Sequence, residues 1–403
     1  MIASSFDAVV GGGGPAGLAA ACLLADAGIS GALVAGEPRA ISDARTVALM
    51  TPSIRLLERL GVWPGKLAER CAPLRCLRLV DDTGGFAQAP ELLFKADEIG
   101  EEAFGWNIPV AALLPALLDK IADTVRVFAA SVSAAHHEFD RVTLDLAGET
   151  IGAPIVLAAD GRNSLLRRSA GIGAREWSYG QVAIATSFAH SAPHRDISTE
   201  YHKAAGPFTT VPLPGGRSSL VWMERPERGA GLMSLNDRDF AAEIQIATHG
   251  ELGLVSDPGP RQLFPMRGLR AMRLAARRVM LIGESGHVIP PLGAQGLNMS
   301  LRDAAHAVHL VQAALNAGRD AGSDAVLSRY NDIRKDDVVS RQSAIDFMNR
   351  SLLAEFLPLH AARTAGLAAL ASFGPLRRYV MARGAGLTAE LPPIMRPQGI
   401  SPA

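Results

Sequence analysis

Residues 6–35 constrain the fold more than any other stretch of this chain. Phe6–Val10 is a short apolar run, Gly11–Gly14 follows, and a helix-forming segment extends from Pro15 to about Ala27, where Gly28 stops it. Gly31–Ala35 is a second short apolar run. A strand, a glycine turn, a helix and a strand in about 30 residues specify a β-α-β unit, with parallel strands and a right-handed crossover. Within it, Gly12-x-Gly14-x-x-Gly17 closes the strand and opens the helix, with Ala16 in the same turn. The first glycine makes the tight turn. The second admits a pyrophosphate against the backbone, and the third lets helix and strand pack closely. A tight turn with no ligand is the bland reading, and the β-α-β context favours binding. An acid for the ribose hydroxyls is expected at the end of the second strand. That strand ends at Ala35, and Glu37 follows two residues late, either as the ribose contact or as a solvated turn residue.

A second stretch, Val279–Asp303, predicts a buried strand over Val279–Ile282, a turn at Gly283-Glu284, a Pro- and Gly-rich loop, and a helix capped by Asn298. Bare backbone presented at the N-terminus of a helix suits an electron-rich partner.

The chain has 403 residues, enough for two or three cores, and 48% of them are hydrophobic. Its 40 basic and 40 acidic residues cancel, so charge gives no case for nucleic acid or for an anionic membrane surface. Cys22, Cys71 and Cys76 are too few for a disulfide framework and lack metal-site spacing, which fits a reduced, cytoplasmic setting. No His/Cys cluster suggests a metal. The N-terminus lacks a basic leader region, and its longest apolar run, Leu18–Ala25, is far short of the roughly 20 residues of a spanning helix.

Further along, Thr51–Leu60 and Val110–Ile121 are expected as helices. Leu74–Asp81, Gly84–Ala89, Val125–Phe128, Arg141–Leu146 and Ile155–Ala159 are expected as extended segments. Between Gln181 and Pro265 the pattern changes to Val182–Phe188, Phe208–Pro212 and Ser218–Glu224, strands separated by Pro and Gly turns. This predicts an antiparallel sheet in a second domain. From Leu301 to about Arg383 the chain is expected to be mostly helical. The fold class is therefore α/β, in an α+β two-domain arrangement. A Rossmann-like FAD/NAD(P)-binding domain (residues 1–72, 105–173 and 276–345) carries an inserted antiparallel-sheet substrate domain (73–104 and 174–275) and a C-terminal helical region (346–403).

Two later motifs decide which dinucleotide. Asp160-Gly161-Arg162-Asn163-Ser164-Leu165-Leu166-Arg167 matches DGxxSxxR, and Gly283-Glu284 with its loop supplies a third element in order. Together with GxGxxG they make the chain resemble the aromatic-ring hydroxylases over nearly its whole length. These are single-component FAD-dependent monooxygenases with a p-hydroxybenzoate-hydroxylase-like fold. Pro291-Leu292-Gly293-Ala294-Gln295-Gly296-Leu297-Asn298, continued by Leu301-Arg302-Asp303, resembles the signature of the ubiquinone-biosynthesis hydroxylases. The tail, with Phe347, Leu370 and Pro375-Leu376-Arg377-Arg378, is similar to their C-terminal helices. Glu284 stands where the family usually has Asp, which moves the carboxylate by about 1.5 Å, one bond length.

The resemblance implies the site. Gly12, Gly14 and Gly17 hold the pyrophosphate, and Val132 lies against the adenine. Arg45 lies along the phosphate and ribitol side, with a solvated loop arginine as the bland reading. Asn107 touches the flavin or merely caps the helix after it. Asp160 and Gly161 serve the dinucleotide, and Arg167 and Arg168 either line a nicotinamide-phosphate path or form an exposed helical face. Pro291, Gly293, Gln295, Gly296, Leu297 and Asn298 form the flavin loop, where backbone N–H groups approach the pyrimidine end of the ring. His287 is a candidate base, and structural packing is the favoured reading of it.

The implied chemistry uses FAD, with NAD(P)H or another electron donor as reductant and molecular oxygen as co-substrate. It runs through a flavin C4a-hydroperoxide that hydroxylates a prenylated phenol. Other ubiquinone-biosynthesis proteins are expected partners. Peripheral contact at the inner face of the membrane through Ser351–Ala385 is weighed against ordinary packing of that stretch. A hydroxylase of another small aromatic and a non-catalytic flavin-fold subunit are the alternatives.

Overall fold

A computed structural model describes residues 4–36, 45–84, 89–353 and 357–397. The β-α-β unit forms as the pattern requires: strand Ala8–Gly11, helix Pro15–Asp26, strand Gly31–Val34, with the two strands parallel. Every residue of both strands is buried. They lie inside a six-stranded central sheet, ordered Ala275–Ala276, Val279–Leu281, Val156–Ala158, Ala8–Gly11, Gly31–Val34, Arg126–Phe128. All neighbours are parallel except the first pair. Helices Pro15–Asp26, Val110–Ile121 and Gln295–Asn316 bury Leu18, Cys22, Leu113, Leu117, Ala304 and Val308 in one cluster under this sheet. Burial pushes the Cys22 and Cys71 thiols up to about 12, and all three cysteines are free.

The second sheet has nine strands. Ala174–His190, Arg217–Glu224, Gly206–Leu213 and Ile197–Lys203 are antiparallel neighbours at its centre. Cys76–Asp82 joins it in parallel with Ile197–Lys203, so the sheet is mixed rather than purely antiparallel as expected. Period-2 alternation sorts its two faces. Ile184, Phe188, Tyr201, Phe208, Leu220 and Trp222 pack outward on helices Pro226–Ser234 and Asp237–Ala247, which the strand pattern did not predict. Ala183, Val221, Met223 and Phe264 face inward, against Leu292 and Ile345.

A three-stranded sheet of Thr46–Met50, Gly105–Pro109 and Ala72–Pro73 bridges the two large ones, and was not expected. The extended segment expected over Gly84–Ala89 falls largely outside the described residues; the strand there is Leu92–Lys95. Helices Gln295–Asn316, Asp324–Leu353, Leu357–Ser372 and Gly374–Gly384 fill the C-terminal third.

Candidate active site at the carboxyl edge of the central sheet

Three adjacent parallel strands deliver the three motifs to one edge. Ala8–Gly11 leads into the Gly12–Gly17 turn, Val156–Ala158 into Asp160-Gly161, and Val279–Leu281 into Gly283-Glu284. Backbone bonds continue past the strand ends: Ile282 N–H to Ala158 O at 2.8 Å, Ala159 N–H to Gly11 O at 2.7 Å, and Gly12 N–H to Val34 O at 2.7 Å. The carboxyl edge of an open α/β sheet is where such folds bind ligands.

The turn is shaped for a bound pyrophosphate. Gly12 has φ 122°, and a Cβ there would lie 2.1 Å from Ala159 O; one on Gly17 would lie 1.9 Å from Gly12 O. A Cβ on Gly14 would meet nothing within 4 Å. Gly12 and Gly17 are thus fixed by packing, whereas Gly14 keeps open space at the N-terminus of Pro15–Asp26. That helix start has no side-chain cap and no acid in its first turn, so its positive end is left for a ligand anion.

The loop helix repeats this. Its first residue is Gln295, its N-cap is Ala294 in a left-handed conformation (φ 54°, ψ 33°), and it has neither a side-chain cap nor a first-turn acid. The expected Asn298 cap is therefore corrected. Asn298 lies inside the first turn, and its amide is fully spent. Oδ1 accepts from Met50 N–H (2.8 Å) and Ser53 Oγ (2.7 Å), and Nδ2 donates to Ala48 O (2.8 Å) and Ala294 O (2.6 Å). This clamps the loop helix to the bridging strand that begins beyond Arg45.

Two buried acceptors at the site have no hydrogen-bond partner among the described residues, Asp160 Oδ1 and Asn107 Oδ1. Asp160 Oδ2 accepts from Leu166 N–H at 3.1 Å. Asn107 lies on strand Gly105–Pro109, and Pro109 rather than Asn107 caps the following helix. Its Nδ2 donates to Pro212 O (2.8 Å) and Ser219 Oγ (3.1 Å), while Thr46 Oγ1 bonds Ser219 Oγ at 2.8 Å. Buried acceptors left open in this way fit a ligand that brings N–H or O–H donors, as a ribityl chain and an isoalloxazine do. The residues present fit FAD.

The family model for the FAD binding domain matches residues 5–341. The ubiquinone hydroxylase UbiL of Rhodospirillum rubrum is 34% identical over 402 residues, covering 97% of this chain and 92% of that protein. The chain belongs to the FAD-dependent ubiquinone-biosynthesis hydroxylases. It is a flavoprotein monooxygenase. The 3-demethoxyubiquinol 3-hydroxylase of Escherichia coli is 31% identical over 350 residues, covering 86% and 88% of the two chains. In fold, the hydroxylase is similar to p-nitrophenol 4-monooxygenase PnpA from Pseudomonas putida, with a TM-score of 0.78 at 18% identity over 97% of this chain and 100% of that one.

The hydroxylase places the remaining sequence candidates unevenly. Gly161 follows Asp160 with φ 79°, and Gly293 precedes Ala294 with φ 57°. A Cβ on Gly296 would meet nothing within 4 Å. Pro291 is exposed in the loop, and Leu297 packs against the main core. Val132 is half-buried against the cluster that contains Val34 and Phe128. The Arg45 guanidinium lies 5.5 Å from the Phe264 ring centroid. Glu284 is exposed in a short 3-10 turn, Gly283–Ser285. Glu37 lies outside the described residues. The Gln295 amide is engaged by protein groups: Nε2 donates to Gly293 O (2.7 Å) and Gly384 O (2.9 Å), and Oε1 accepts from Arg341 (2.6 Å). Arg167 is buried and donates to Arg162 O (2.9 Å) and Ser285 O (2.8 Å), joining the second motif to the third instead of lining an exposed path. Arg168 donates to Asn163 O.

His287 is 2% exposed, and its Nε2 bonds Asp303 Oδ2 at 2.7 Å, which supports the packing reading. Asp303 also accepts from Gly283 N–H (2.9 Å) and, through Oδ1, from Arg334 Nε (2.7 Å). Burial alone would raise the Asp303 carboxyl; Arg334 and His287 overcome it and hold it below the usual range. Arg334 continues to Asp337, which also binds Arg302 and Arg341. Burial lowers Arg302 to about 10. Sequence reading missed this buried network. Its only trace is the spacing of Arg334, Asp337 and Arg341, three and four apart on one helical face.

Proposed function

We propose that this protein hydroxylates the aromatic ring of a prenylated phenol in ubiquinone biosynthesis. The observation that carries the reading is the apolar inner face of the nine-stranded sheet set opposite the flavin loop, where Val221, Met223 and Phe264 meet Leu292. It stands beside a 34%-identical relative named a ubiquinone hydroxylase. The Gly12–Gly17 turn, Asp160, Asn107 and the loop helix start at Ala294 would bind FAD, with the central sheet as the cofactor domain and the nine-stranded sheet as the substrate domain.

FAD supplies oxygen activation when bound and reduced, with NAD(P)H or another donor as reductant and oxygen as co-substrate. The chain does the rest. The helix starts at Gly14 and Ala294 favour negative charge at the phosphates and at the ring. The Asn298 clamp fixes the loop, and the apolar inner face excludes water from the reacting ring. Complementation tests this: strains each lacking one ring hydroxylation should regain quinone in one case. Purified protein carrying FAD that rescues none of them overturns the substrate class; colourless protein that cannot be reconstituted overturns the enzyme reading.

We also infer contact with an anionic membrane surface. Residues 357–389 contain four arginines and no acid. Phe373, Tyr379, Leu376 and Val380 are exposed at 58%, 54%, 39% and 39% beside exposed Arg378 and Arg383. Apolar side chains among cations suit the boundary of an anionic bilayer. Among the described residues no helix is long and apolar enough to cross a membrane. Flotation with anionic but not neutral vesicles is expected, and binding to neither would refute it.

A further inference from the structure

The inner face of the nine-stranded sheet is not wholly apolar. Register places Leu92, Leu79, Glu200, Thr209, Val221 and Ala185 in one row across it. Leu79 belongs to the apolar cluster around Met50 and Phe94, and Val221 to the cluster around Leu292, so Glu200 is a carboxylate set between two apolar patches. Tyr201, the residue between Glu200 and His202, faces the opposite side. His202 and Glu200 are therefore on the same inward face.

The pair is built rather than incidental. His202 Nε2 bonds Glu200 Oε1 at 2.8 Å, with side chains 4% and 12% exposed. Thr209 Oγ1 lies 3.5 Å from Oε2, the limit of a hydrogen bond, so that oxygen keeps its accepting capacity. Asp81 is the register partner of His202, and its carboxylate is engaged by Thr83 and the Ala89 N–H. A largely buried carboxylate, 12% exposed, set between two apolar patches gains from a further hydrogen-bond donor at its less engaged oxygen.

We propose that Glu200 receives the phenolic hydroxyl of the substrate and that His202 positions it; this rests on the prenylated-phenol reading above. Val221 is two strands from Glu200, roughly 10 Å at the usual strand spacing. An aromatic ring lying over Val221 beside Leu292 spans that gap and brings its hydroxyl to Oε2. When the ring's electron pair is drawn to the transferred oxygen, the phenolic O–H becomes strongly acidic. The O–H bond breaks, its pair stays on the ring oxygen, and the proton passes to Oε2 of Glu200. Glu200 is then a catalytic residue and His202 a positioning residue.

The experiment compares 2-prenylphenol with 2-prenylanisole, its methyl ether, by the perturbation each causes in the flavin absorbance of FAD-loaded protein. A hydrogen bond to a charged acceptor is worth roughly 10- to 100-fold in affinity, so the wild type should prefer the phenol by that factor. Glu200→Gln keeps the bond to His202 and should shrink the preference to within about threefold. His202→Leu should do the same, while His202→Gln, which retains a donor, should preserve most of it. An unchanged preference in Glu200→Gln, or none in the wild type, overturns the proposal and leaves the proposed function standing. Binding of neither probe by protein that holds FAD overturns the substrate class and this assignment with it.

Discussion

Asp303→Asn isolates the buried network behind the flavin loop. Asp303 is 1% exposed, Arg334 is not exposed at all, and they meet at 2.7 Å. Asparagine keeps the shape but removes the charge. The amide NH2 then replaces either Oδ2, the shared partner of Gly283 N–H and His287 Nε2, or Oδ1, the acceptor for Arg334 Nε, and Arg334 is left with Asp337 as its only carboxylate among the described residues. Breaking a buried ion pair from one side costs roughly 3–5 kcal/mol. Unfolding entropy of about 2.1 cal/mol/K per residue gives a chain of 403 residues about 0.85 kcal/mol/K. The expected fall in Tm is therefore roughly 4–6 °C, measured by circular dichroism on the FAD-loaded protein. FAD affinity should fall as well, because Asp303 holds the Gly283 turn. Adding Arg334→Met should recover part of the loss, since both charges are then gone. A Tm within about 1 °C of wild type with unchanged FAD affinity would refute the assignment, because a pair at that spacing cannot be lost so cheaply if it is formed.

Two further perturbations separate binding from packing and from proton uptake. Gly14→Ala should yield folded protein that has lost FAD, since its Cβ meets open space at the phosphate position, whereas Gly17→Ala should lower Tm, its Cβ lying 1.9 Å from Gly12 O. Retained FAD in the first, or an unchanged Tm in the second, contradicts the cradle. His306 is pushed down to about 4 by burial and by nearby Arg334, while the unfolded chain titrates near 6.5. The fold thus prefers the neutral ring. That stability, about 3 kcal/mol, is whole above pH 6.5 and is lost as pH falls towards 4. His306→Gln should flatten the Tm decline across that window, and identical slopes would be inconsistent with a buried neutral imidazole.

Local sequence specifies the β-α-β unit, because short apolar strands and a glycine turn of fixed spacing admit few other conformations. It also placed Asp160-Gly161 and Gly283-Glu284 at strand ends, where runs such as Val156–Ala158 and Val279–Leu281 are buried on both faces and stand out as apolar blocks. What each polar side chain does is set by the packing of distant elements. Asparagine suits a cap position, but the helix begins earlier, at Gln295, and the Asn298 amide is spent on Ala48 and Met50 of a distant bridging strand and on Ser53 in the helix that follows it. Gln295 and Arg167 resemble ligand contacts in a motif, yet each is consumed by protein carbonyls or by a partner far along the chain. Glu200 and His202 drew no notice, since an acid and a histidine two residues apart say nothing until strand register puts both on the inward face. Periodicity within a segment is local physics and is legible in one dimension. Partners separated by 100 or more residues are set by how the sheets face each other.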